Sequence, residues 1–341
     1  MDLDTLHKGR QTIVFDRHPV ILAHSAIAGK KESEGPLAGF FDHTETDTRF
    51  GQKTWEKAET RLQELALDTA RSKAQLQYSD LDVLFAGDLL NQCISSAFAI
   101  RDTRVPFLGL YGACSTMAES LTLAAAVVNA GYAARAAALT SSHFATAERQ
   151  YRFPLGYGGQ RTPTAQWTVT GSGCCIVGAE GSGPFINCAT IGRIEDYGIK
   201  DANNMGAAMA PAAYSTLRAH FADTGLRPQD YDLIVTGDLG TLGSTIVTDL
   251  FQRDGVEFGA NYCDCGVLIY DLKRQDVHAG GSGCGCGASV LCGYLLRQLR
   301  EKKINSLLFC ATGALMSPVS TWQGESIPAI CHAISISNER R

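Results

Sequence analysis

The sequence predicts an α/β fold assembled from two copies of one unit, and three observations lead to this prediction. Residues 58–89 and 208–239 align at a constant offset of 150 positions. Each copy contains a helical pattern, a short polar turn and an aliphatic segment that ends in Gly-Asp-Leu. A weaker match at an offset of 170 pairs Cys114 with Cys284. Because strands alternate with helices in both copies, we expect parallel sheets covered by helices on both faces.

The match between the copies includes eight identical positions. The identical pairs are Ala58/Ala208, Leu67/Leu217, Leu76/Leu226, Asp80/Asp230, Asp82/Asp232, Gly87/Gly237, Asp88/Asp238 and Leu89/Leu239. With only two copies, each half of the chain, the pattern indicates a duplication and not a solenoid. The glycine-rich segment at 180–184 marks the expected boundary, which gives an N-terminal half at 1–179 and a C-terminal half at 180–341.

The elements of the first half follow from hydrophobic periodicity and turn residues. We predict strands at 12–15 and 20–22, a helix at 53–75, strands at 82–86 and 105–110, a helix that begins near Cys114, and strands at 136–140 and 167–177. Thr116 and Glu119 have the spacing of a capping box, which places the start of that helix within about two residues of Cys114. The aromatic and basic segment from Arg149 to Arg161 is predicted as a loop over a cleft.

Composition and charge exclude several classes of function. The chain has 341 residues and a formal net charge of −5, without a concentrated basic face, so we expect no nucleic-acid partner. The charged N-terminus has no signal-peptide pattern, and the apolar stretch at 121–139 is too polar to span a bilayer. We expect the twelve cysteines to be reduced thiols, and since no CxxC pair exists, we expect no zinc site.

Cys114 is the sharpest chemical candidate in the chain. It follows Tyr111-Gly112-Ala113 at a predicted turn from a strand into a helix. Unpaired N–H groups at a helix N-terminus favour a thiolate and can also hold an oxyanion or a carboxylate. The alternative is that Cys114 is simply one buried thiol among twelve.

A duplicated βαβ unit, with Gly-Ala-Cys-Ser opening an alanine-rich helix, resembles the thiolase and ketoacyl-synthase superfamily. This resemblance implies two halves arranged in five layers (αβαβα), a dimer, and a nucleophile at the position of Cys114. It also implies His or Asn general-base partners in the second half. There this chain has Ser282 in one turn and Asp238 in the other. Without an imidazole to take and return protons, we do not expect Claisen-type condensation.

A second resemblance covers nearly the whole chain. Its segments are Glu34–Leu37, Phe85–Gln92, Tyr111–Thr116, Thr140–His143, Ala145–Gln150, Tyr157–Gln160, Met209–Pro211, Ala279–Cys284 and Glu325–Pro328. Together they resemble the stage V sporulation protein AD family. The resemblance implies a non-enzymatic protein of endospore-forming bacteria that binds dipicolinic acid (pyridine-2,6-dicarboxylic acid). It further implies membrane-spanning partners, with uptake of the ligand into the developing spore and its release at germination.

The same resemblance implies a peripheral location at the spore inner membrane, in the forespore, and a homodimer. No cofactor is expected beyond calcium carried by the ligand as a chelate.

Candidate ligand residues lie where the predicted elements end. The helix N-terminus at Cys114 and Ser115 offers N–H donors to one carboxylate, and Arg149 or Arg152 could pair with the other. Ser282 lies in the glycine-rich turn of the second half. For the two arginines, the alternative is a solvated surface loop.

Asp88 and Asn91 follow a predicted strand at the edge where α/β proteins bind ligands. A bare Asp88 carboxylate would repel a dianion but would suit a calcium chelate, a protonated ligand or a bridging water. Because Asp238 repeats it, Asp88 could equally be a structural residue of the turn. His143 could help to hold an anion when protonated, or be a buried residue with satisfied hydrogen bonds.

Four aromatic residues could stack on a flat ring or serve core or dimer packing: Tyr111, Tyr151, Phe153 and Tyr157. Two other functions stay open at this point. One is an acyltransferase in which Cys114 works with Cys310 or His143 as an unorthodox base. The other is a scaffold whose pocket is vestigial.

Overall fold

The structure is a computed structural model that describes residues 6–152 and 160–341. The strands are β1 His7–Lys8, β2 Thr12–Val14, β3 Val20–Ala28, β4 His43–Thr44, β5 Val83–Gly87, β6 Phe107–Gly109, β7 Arg135–Ser142, β8 Trp167–Thr168, β9 Gly171–Gly178, β10 Phe185–Thr190, β11 Leu233–Thr236, β12 Tyr262–Asp264, β13 Gly281–Ser282, β14 Ser306–Ala314 and β15 Ala329–Ser337. The helices are α1 Lys30–Ser33, α2 Trp55–Lys73, α3 Ile94–Ile100, α4 Thr116–Asn129, α5 Phe144–Tyr151, α6 Met205–Thr224, α7 Gly240–Arg253, α8 Cys265–Leu268, α9 Cys284–Ser289, α10 Leu296–Arg300 and α11 Pro318–Trp322. A π-helical segment, Val290–Leu295, joins α9 to α10.

The duplication predicted from the sequence is visible in the order of the strands. The first half contributes β6-β5-β7-β9-β3 and the second half β12-β11-β14-β15-β10. Within each half, the five strands follow the same spatial order relative to their order along the chain. The two sets meet at a single pairing of Phe185 with Val20. The expected boundary at residues 179/180 falls between β9 and β10, and the division into domains stays a prediction.

Helices cover the two sets of strands from outside and also fill the space between them. The side chains of Met117 and Leu121 on α4 share a central core with Val235 and Ile334 from the second half. Helices α2 and α3 lie with the first set of strands, whereas α6 and α7 cover the second. The resulting succession of layers is the expected αβαβα arrangement.

The repeated aspartates explain why the copies stayed similar. Asp82 accepts hydrogen bonds from two backbone N–H groups at the start of β7, and Asp232 does the same at the start of β14. Asp80 and Asp230 each cap a 3₁₀ turn. These contacts fix the strand geometry in both halves, so they account for identity without a shared binding role.

The expectation of parallel sheets was wrong, because β9 pairs antiparallel with β3 and β7, and β15 pairs antiparallel with β14 and β10, so the sheet is mixed. Three local expectations were also wrong. Strand β3 runs nine residues, to Ala28, because its neighbours on both sides bury it. The predicted capping box does not form: α4 begins at Thr116, whose hydroxyl donates to the carbonyl of Ala113, and no side chain caps the helix. The predicted loop from Arg149 begins inside a helix, since α5 continues to Tyr151.

Within residues 6–152 and 160–341, no helix is both long enough and apolar enough to cross a bilayer.

Candidate ligand-binding site

A cavity of about 280 Å³ lies between the two halves beside Cys114. Its lining is mostly apolar, and its volume is near the lower end of the range of about 300–1,000 Å³ typical of small-molecule pockets. The lining residues are Leu89, Tyr111, Ala113, Cys114, Ala147, Glu148, Tyr151, Arg152, Thr168, Met205, Ser282, Gly283, Ala314, Leu315, Met316, Ser317 and Ser320. Both halves therefore contribute to one site.

The turn that holds Cys114 is shaped by close backbone contacts. Ala113 has φ 51°, an uncommon value for a residue with a side chain, and it opens the 3₁₀ turn that leads into α4. A Cβ atom added to Gly313 on β14 would lie 2.5 Å from the carbonyl oxygen of Gly112. The second half thus presses directly against this turn. The hydroxyl of Ser115 donates to Gly112 at 2.7 Å and does not line the cavity.

The Cys114 thiol is held protonated. Its burial, followed by the charge of Asp238 and a hydrogen bond with it, raises the thiol pKa well above its ordinary value. The expectation that the helix N-terminus would favour a thiolate is therefore wrong. The helix dipole acts over a single turn at the surface, whereas here the thiol is 7% exposed and faces a carboxylate.

Asp238 lies behind the lining of the cavity, where it contacts Cys114 and Ser282, although it was predicted only as the residue that replaces a histidine. Its carboxylate accepts hydrogen bonds from the Thr312 hydroxyl at 2.8 Å and the backbone N–H of Gly283 at 3.0 Å. The hydroxyl of Ser282 donates to it at 3.3 Å. Burial raises the pKa of Asp238 to about 6, against the lowering effect of these donors. Ser282 consequently lies at the cavity and positions this carboxylate.

Asp88, the duplicate of Asp238, instead accepts hydrogen bonds from the segment that follows β5. It is fully buried and accepts hydrogen bonds from the backbone N–H of Leu90 and from the N–H and hydroxyl of Ser96. Burial raises its pKa, and burial followed by the charge of Asp88 raises the pKa of Glu59 to about 8. Asp88 does not line the cavity. The carboxylate that contacts Cys114 is therefore that of Asp238 and not that of Asp88.

The two candidate arginines have different surroundings. Arg152 lines the cavity, and its guanidinium donates to Glu148 at 2.6 Å, with both side chains less than a tenth exposed. The Thr168 hydroxyl also donates to Glu148, at 2.9 Å. Arg149 points away from the cavity, half exposed, and pairs with Glu56 on α2. The structure therefore brings only Arg152 to the site.

His143 does not reach this cavity, because it caps the N-terminus of α5. Its Nδ1 accepts a hydrogen bond from the backbone N–H of Ala145, and its Nε2 donates to the carbonyl of Thr48. Burial lowers its pKa to about 4. The imidazole is therefore neutral near pH 7, and the expectation that it titrates there and holds an anion was wrong.

Two tyrosine hydroxyls lie at one side of the cavity. The hydroxyl oxygens of Tyr111 and Tyr151 are 2.6 Å apart, and both hydroxyls lie within hydrogen-bond distance of the carbonyl oxygen of Leu89. The side-chain oxygen of Asn91 accepts a hydrogen bond from Tyr111 at 3.2 Å, which places Asn91 behind the lining. The other two aromatic candidates, Phe153 and Tyr157, lie outside the described residues.

Sequence reasoning missed Glu148, Thr168 and the segment at 314–320. The spacing of Glu148 and Arg152, four positions apart, would have indicated their pairing once α5 was recognised as a helix. No comparable signal marks 314–320, which reaches the cavity only because β14 lies opposite the Cys114 turn. Among residues 6–152 and 160–341, no cluster of His, Cys, Asp and Glu side chains has the geometry to hold a metal ion.

Comparison with known proteins decides the family. The profile of the family "Stage V sporulation protein AD" matches residues 9–337. Stage V sporulation protein AD of Bacillus subtilis (strain 168) is 47% identical over 327 residues, which cover 96% of each chain. The chain belongs to the stage V sporulation protein AD family. The resemblance on which the sequence-based expectations rest is thereby confirmed.

Solved structures confirm the thiolase-like fold of this family member. OleA of Xanthomonas campestris matches with a TM-score of 0.62 at 12% identity, over 95% of this chain and 97% of that one. 3-Oxoacyl-[acyl-carrier-protein] synthase III of Aquifex aeolicus VF5 matches with a TM-score of 0.58 at 12% identity, over 94% of this chain and 99% of that one. Human mitochondrial 3-ketoacyl-CoA thiolase matches with a TM-score of 0.56 at 12% identity, over 95% of this chain and 99% of that one. At such identities the likeness concerns the fold alone.

Proposed function

We propose that this protein binds dipicolinic acid, or its calcium chelate, in the cavity beside Cys114 and does not catalyse acyl transfer. One observation carries the second half of the proposal: the Cys114 thiol faces the Asp238 carboxylate, which opposes ionisation of the thiol. An activated cysteine has the reverse, a neighbouring cation such as an imidazolium that stabilises the thiolate. The site therefore suits a bound ligand better than a covalent intermediate.

The unorthodox bases considered for an acyltransferase do not support that alternative. His143 belongs to the opposite side of α5 and is neutral. Cys310 is fully buried on β14 within the outer core of the second half, where its own pKa is raised. Neither residue lines the cavity that contains Cys114.

The charges around the cavity restrict the form in which a dicarboxylate can enter. The positive charge of Arg152 is balanced by Glu148, and Asp238 adds a negative charge when ionised. A free dianion would therefore meet net repulsion in a site of low dielectric constant. Either a proton on Asp238 or calcium held by the ligand removes this cost. Calcium in this proposal is carried by dipicolinate and not by the protein.

The apolar walls and the Arg152 guanidinium fit the rest of the ligand. A flat pyridine ring can lie against the apolar lining, and the guanidinium has N–H groups besides the one that donates to Glu148. The hydroxyl oxygens of Tyr111, Tyr151 and Ser282 line the same cavity, but their protons are donated to Leu89, Asn91 and Asp238. Ser115, Asn91 and Asp88 stay in the proposal only as residues that support the walls. Arg149 and His143 have no place in it.

Family membership supports a role in sporulation, and we extend the proposal accordingly. The protein takes part in moving dipicolinic acid into the developing spore and in releasing it at germination, together with membrane-spanning proteins of the same system. It acts in the forespore, peripherally at the spore inner membrane. We further propose a homodimer, supported by the exposed Leu108 on the edge strand β6.

Calorimetric titration with dipicolinic acid, with and without calcium, tests the binding proposal. Pyridine-2-carboxylic acid serves as the single-carboxylate control, and Cys114→Ala as the variant in the cavity. Saturable binding that weakens in the variant and with the control supports the proposal. Absence of heat in every condition contradicts it and favours a scaffold, for which Cys114→Ala would also leave transport intact. Acylation of Cys114 by an acyl-CoA, detected by intact mass, would instead support the acyltransferase.

A further inference from the structure

A second cavity, also of about 280 Å³, lies on the other side of α5 and β8. Helix α5 turns Ala147 and Glu148 toward the first cavity and Phe144 toward the second. Strand β8 likewise presents Thr168 to the first and Trp167 to the second. Among the described residues, the two cavities have no lining residue in common, so the second is a separate compartment.

Aromatic rings form the walls of this second cavity. Phe144 and Trp167 stack with ring centroids 3.9 Å apart and planes 12° from parallel. Trp55, at the start of α2, lies on another side, tilted against the ring of His143 at 5.5 Å. All three rings are only partly buried and line the space. Such walls favour a planar, apolar body that can stack or meet a ring edge.

Positive charge gathers at the mouth of the same cavity. Lys30 and Lys31 both line it, and the ammonium group of Lys31 lies 3.9 Å from the centre of the Trp167 ring. The guanidinium of Arg161 lies over that ring as well, at 4.7 Å. Burial and the charge of Arg161 lower the pKa of Lys31, and Asp276, Glu32 and Glu34 offset this only in part. An anion placed here would relieve the crowding of cations.

A buried carboxyl group supplies the third element. Glu32 is 1% exposed; its Oε1 accepts hydrogen bonds from the backbone N–H of Thr170 and from the Tyr270 hydroxyl. Its Oε2 has no hydrogen-bond partner within the parts of the chain that the structure describes. Burial raises the pKa of Glu32 to about 7. In its protonated form, this group can donate through the unpaired oxygen to a bound carboxylate.

We propose that the second cavity binds a small planar aromatic carboxylate, whose ring packs against Trp55, Phe144 and Trp167 and whose carboxylate lies near Lys30 and Lys31. This site is additional to the proposed dipicolinate site and does not depend on it. Lys31 contributes most to recognition, because its ammonium group is held over the Trp167 ring while Lys30 is more exposed.

Tryptophan fluorescence gives a direct readout, because two of the three tryptophans line this cavity and none lines the first. The third, Trp322, is 84% exposed and is removed as Trp322→Phe. In this background, we expect benzoate to change the emission saturably and cyclohexanecarboxylate to act much more weakly. Lys31→Gln should weaken benzoate binding by about tenfold or more, the value of a charge-assisted hydrogen bond. Lys31→Arg should retain it.

The controls separate this proposal from that for the first cavity. Lys57→Gln, a change at an exposed lysine of α2, should leave benzoate binding unchanged. Cys114→Ala should also leave it unchanged, whereas loss of the signal in Cys114→Ala would assign benzoate to the first cavity and overturn the proposal. The proposal is also overturned if benzoate does not change the tryptophan emission, or if Lys31→Gln binds benzoate as tightly as the Trp322→Phe protein does. Dipicolinate titrations of the Lys31→Gln variant then report on the first cavity alone.

Discussion

The thiol of Cys114 lies against the carboxylate of Asp238, at the point where the two halves of the chain meet. The two residues come from non-equivalent positions of the duplicated unit, one from the helix turn of the first copy and one from the strand end of the second. Their contact keeps the thiol neutral and leaves a carboxylate with a raised pKa behind a mostly apolar cavity. The chemical character of the site follows from this pair.

Thiol reactivity should report the contact directly. We expect alkylation of Cys114 by iodoacetamide to be slow near pH 8, because only the thiolate reacts and both burial and Asp238 raise the thiol pKa. Asp238→Asn should accelerate alkylation of Cys114, followed by peptide mass spectrometry. Asp249→Asn, a change at an exposed position of α7, is the matched control. Rapid alkylation in the unmodified protein would refute a protonated thiol.

Ligand affinity should depend on pH through Asp238. Its pKa is raised to about 6 by burial, so the carboxylate takes up a proton as the pH falls through that value and ceases to repel a dianion. We expect dipicolinate to bind more tightly below about pH 6 in titrations without calcium, and Asp238→Asn to flatten this dependence. The neighbouring Asp264, with a pKa of about 7, is present in both proteins. Equal pH profiles would contradict the assignment to Asp238.

The same shift has a consequence for stability. The folded protein holds the Asp238 proton more tightly than the unfolded chain, whose value is the ordinary 3.8. Between these two values the folded state binds more protons, so this group's contribution to the free energy of unfolding falls as the pH rises toward about 6. Denaturant unfolding of the parent and of Asp238→Asn across this range measures the difference in slope.

Arg152 and Arg149 both lie at the C-terminal end of α5, but only the ion pair of Arg152 is buried. Arg152→Gln leaves the buried Glu148 without its partner, and breaking such a pair costs about 3–5 kcal/mol in the free energy of unfolding. Arg149→Gln removes an exposed pair with Glu56 and should cost about 0–1 kcal/mol. We also expect only Arg152→Gln to weaken dipicolinate binding. Equal effects of the two changes in urea unfolding would contradict the difference in burial.

Gly313 tests how closely the second half must approach the Cys114 turn. In Gly313→Ala, the new methyl group would meet the carbonyl oxygen of Gly112 and the backbone of Ser115, neither of which can rotate away. We expect a loss of about 1–3 kcal/mol, typical of overpacking, together with weaker ligand binding. Gly39→Ala is the control, since nothing lies within 4 Å of its added Cβ. Unchanged thermal unfolding of Gly313→Ala would show that the turn adapts.

The edge strand β6 tests the proposed homodimer. Leu108 is 55% exposed there, and β6 pairs only with β5 among the described strands. Leu108→Lys should convert a dimer to a monomer in sedimentation velocity, because an apolar contact across a sheet edge would be replaced by facing charges. Ile194→Lys, at a position 61% exposed in the second half, should leave the mass unchanged. If the unmodified protein sediments as a monomer, the proposal of a homodimer is wrong.

Much of the fold could be predicted because the sequence records it locally. The helix at Trp55–Lys73 and the strands β5 and β7 follow from periodicity, and the identity of Asp82 with Asp232 marks equivalent strand starts. Errors arose where long-range packing outweighs a local pattern. The capping box at Thr116 failed because the preceding 3₁₀ turn is pressed by β14, a contact between residues nearly two hundred positions apart.

The sequence by itself determined the duplication, the family and the position of Cys114 at the turn into α4, since repeats, motifs and periodicity are properties of neighbouring residues. Only the tertiary structure decided which of the duplicated aspartates contacts Cys114, and that Arg152 lines the cavity while Arg149 and His143 do not. It also decided the protonation of the thiol. Burial and charge depend on which residues from distant parts of the chain enclose a group, and no local pattern specifies that enclosure.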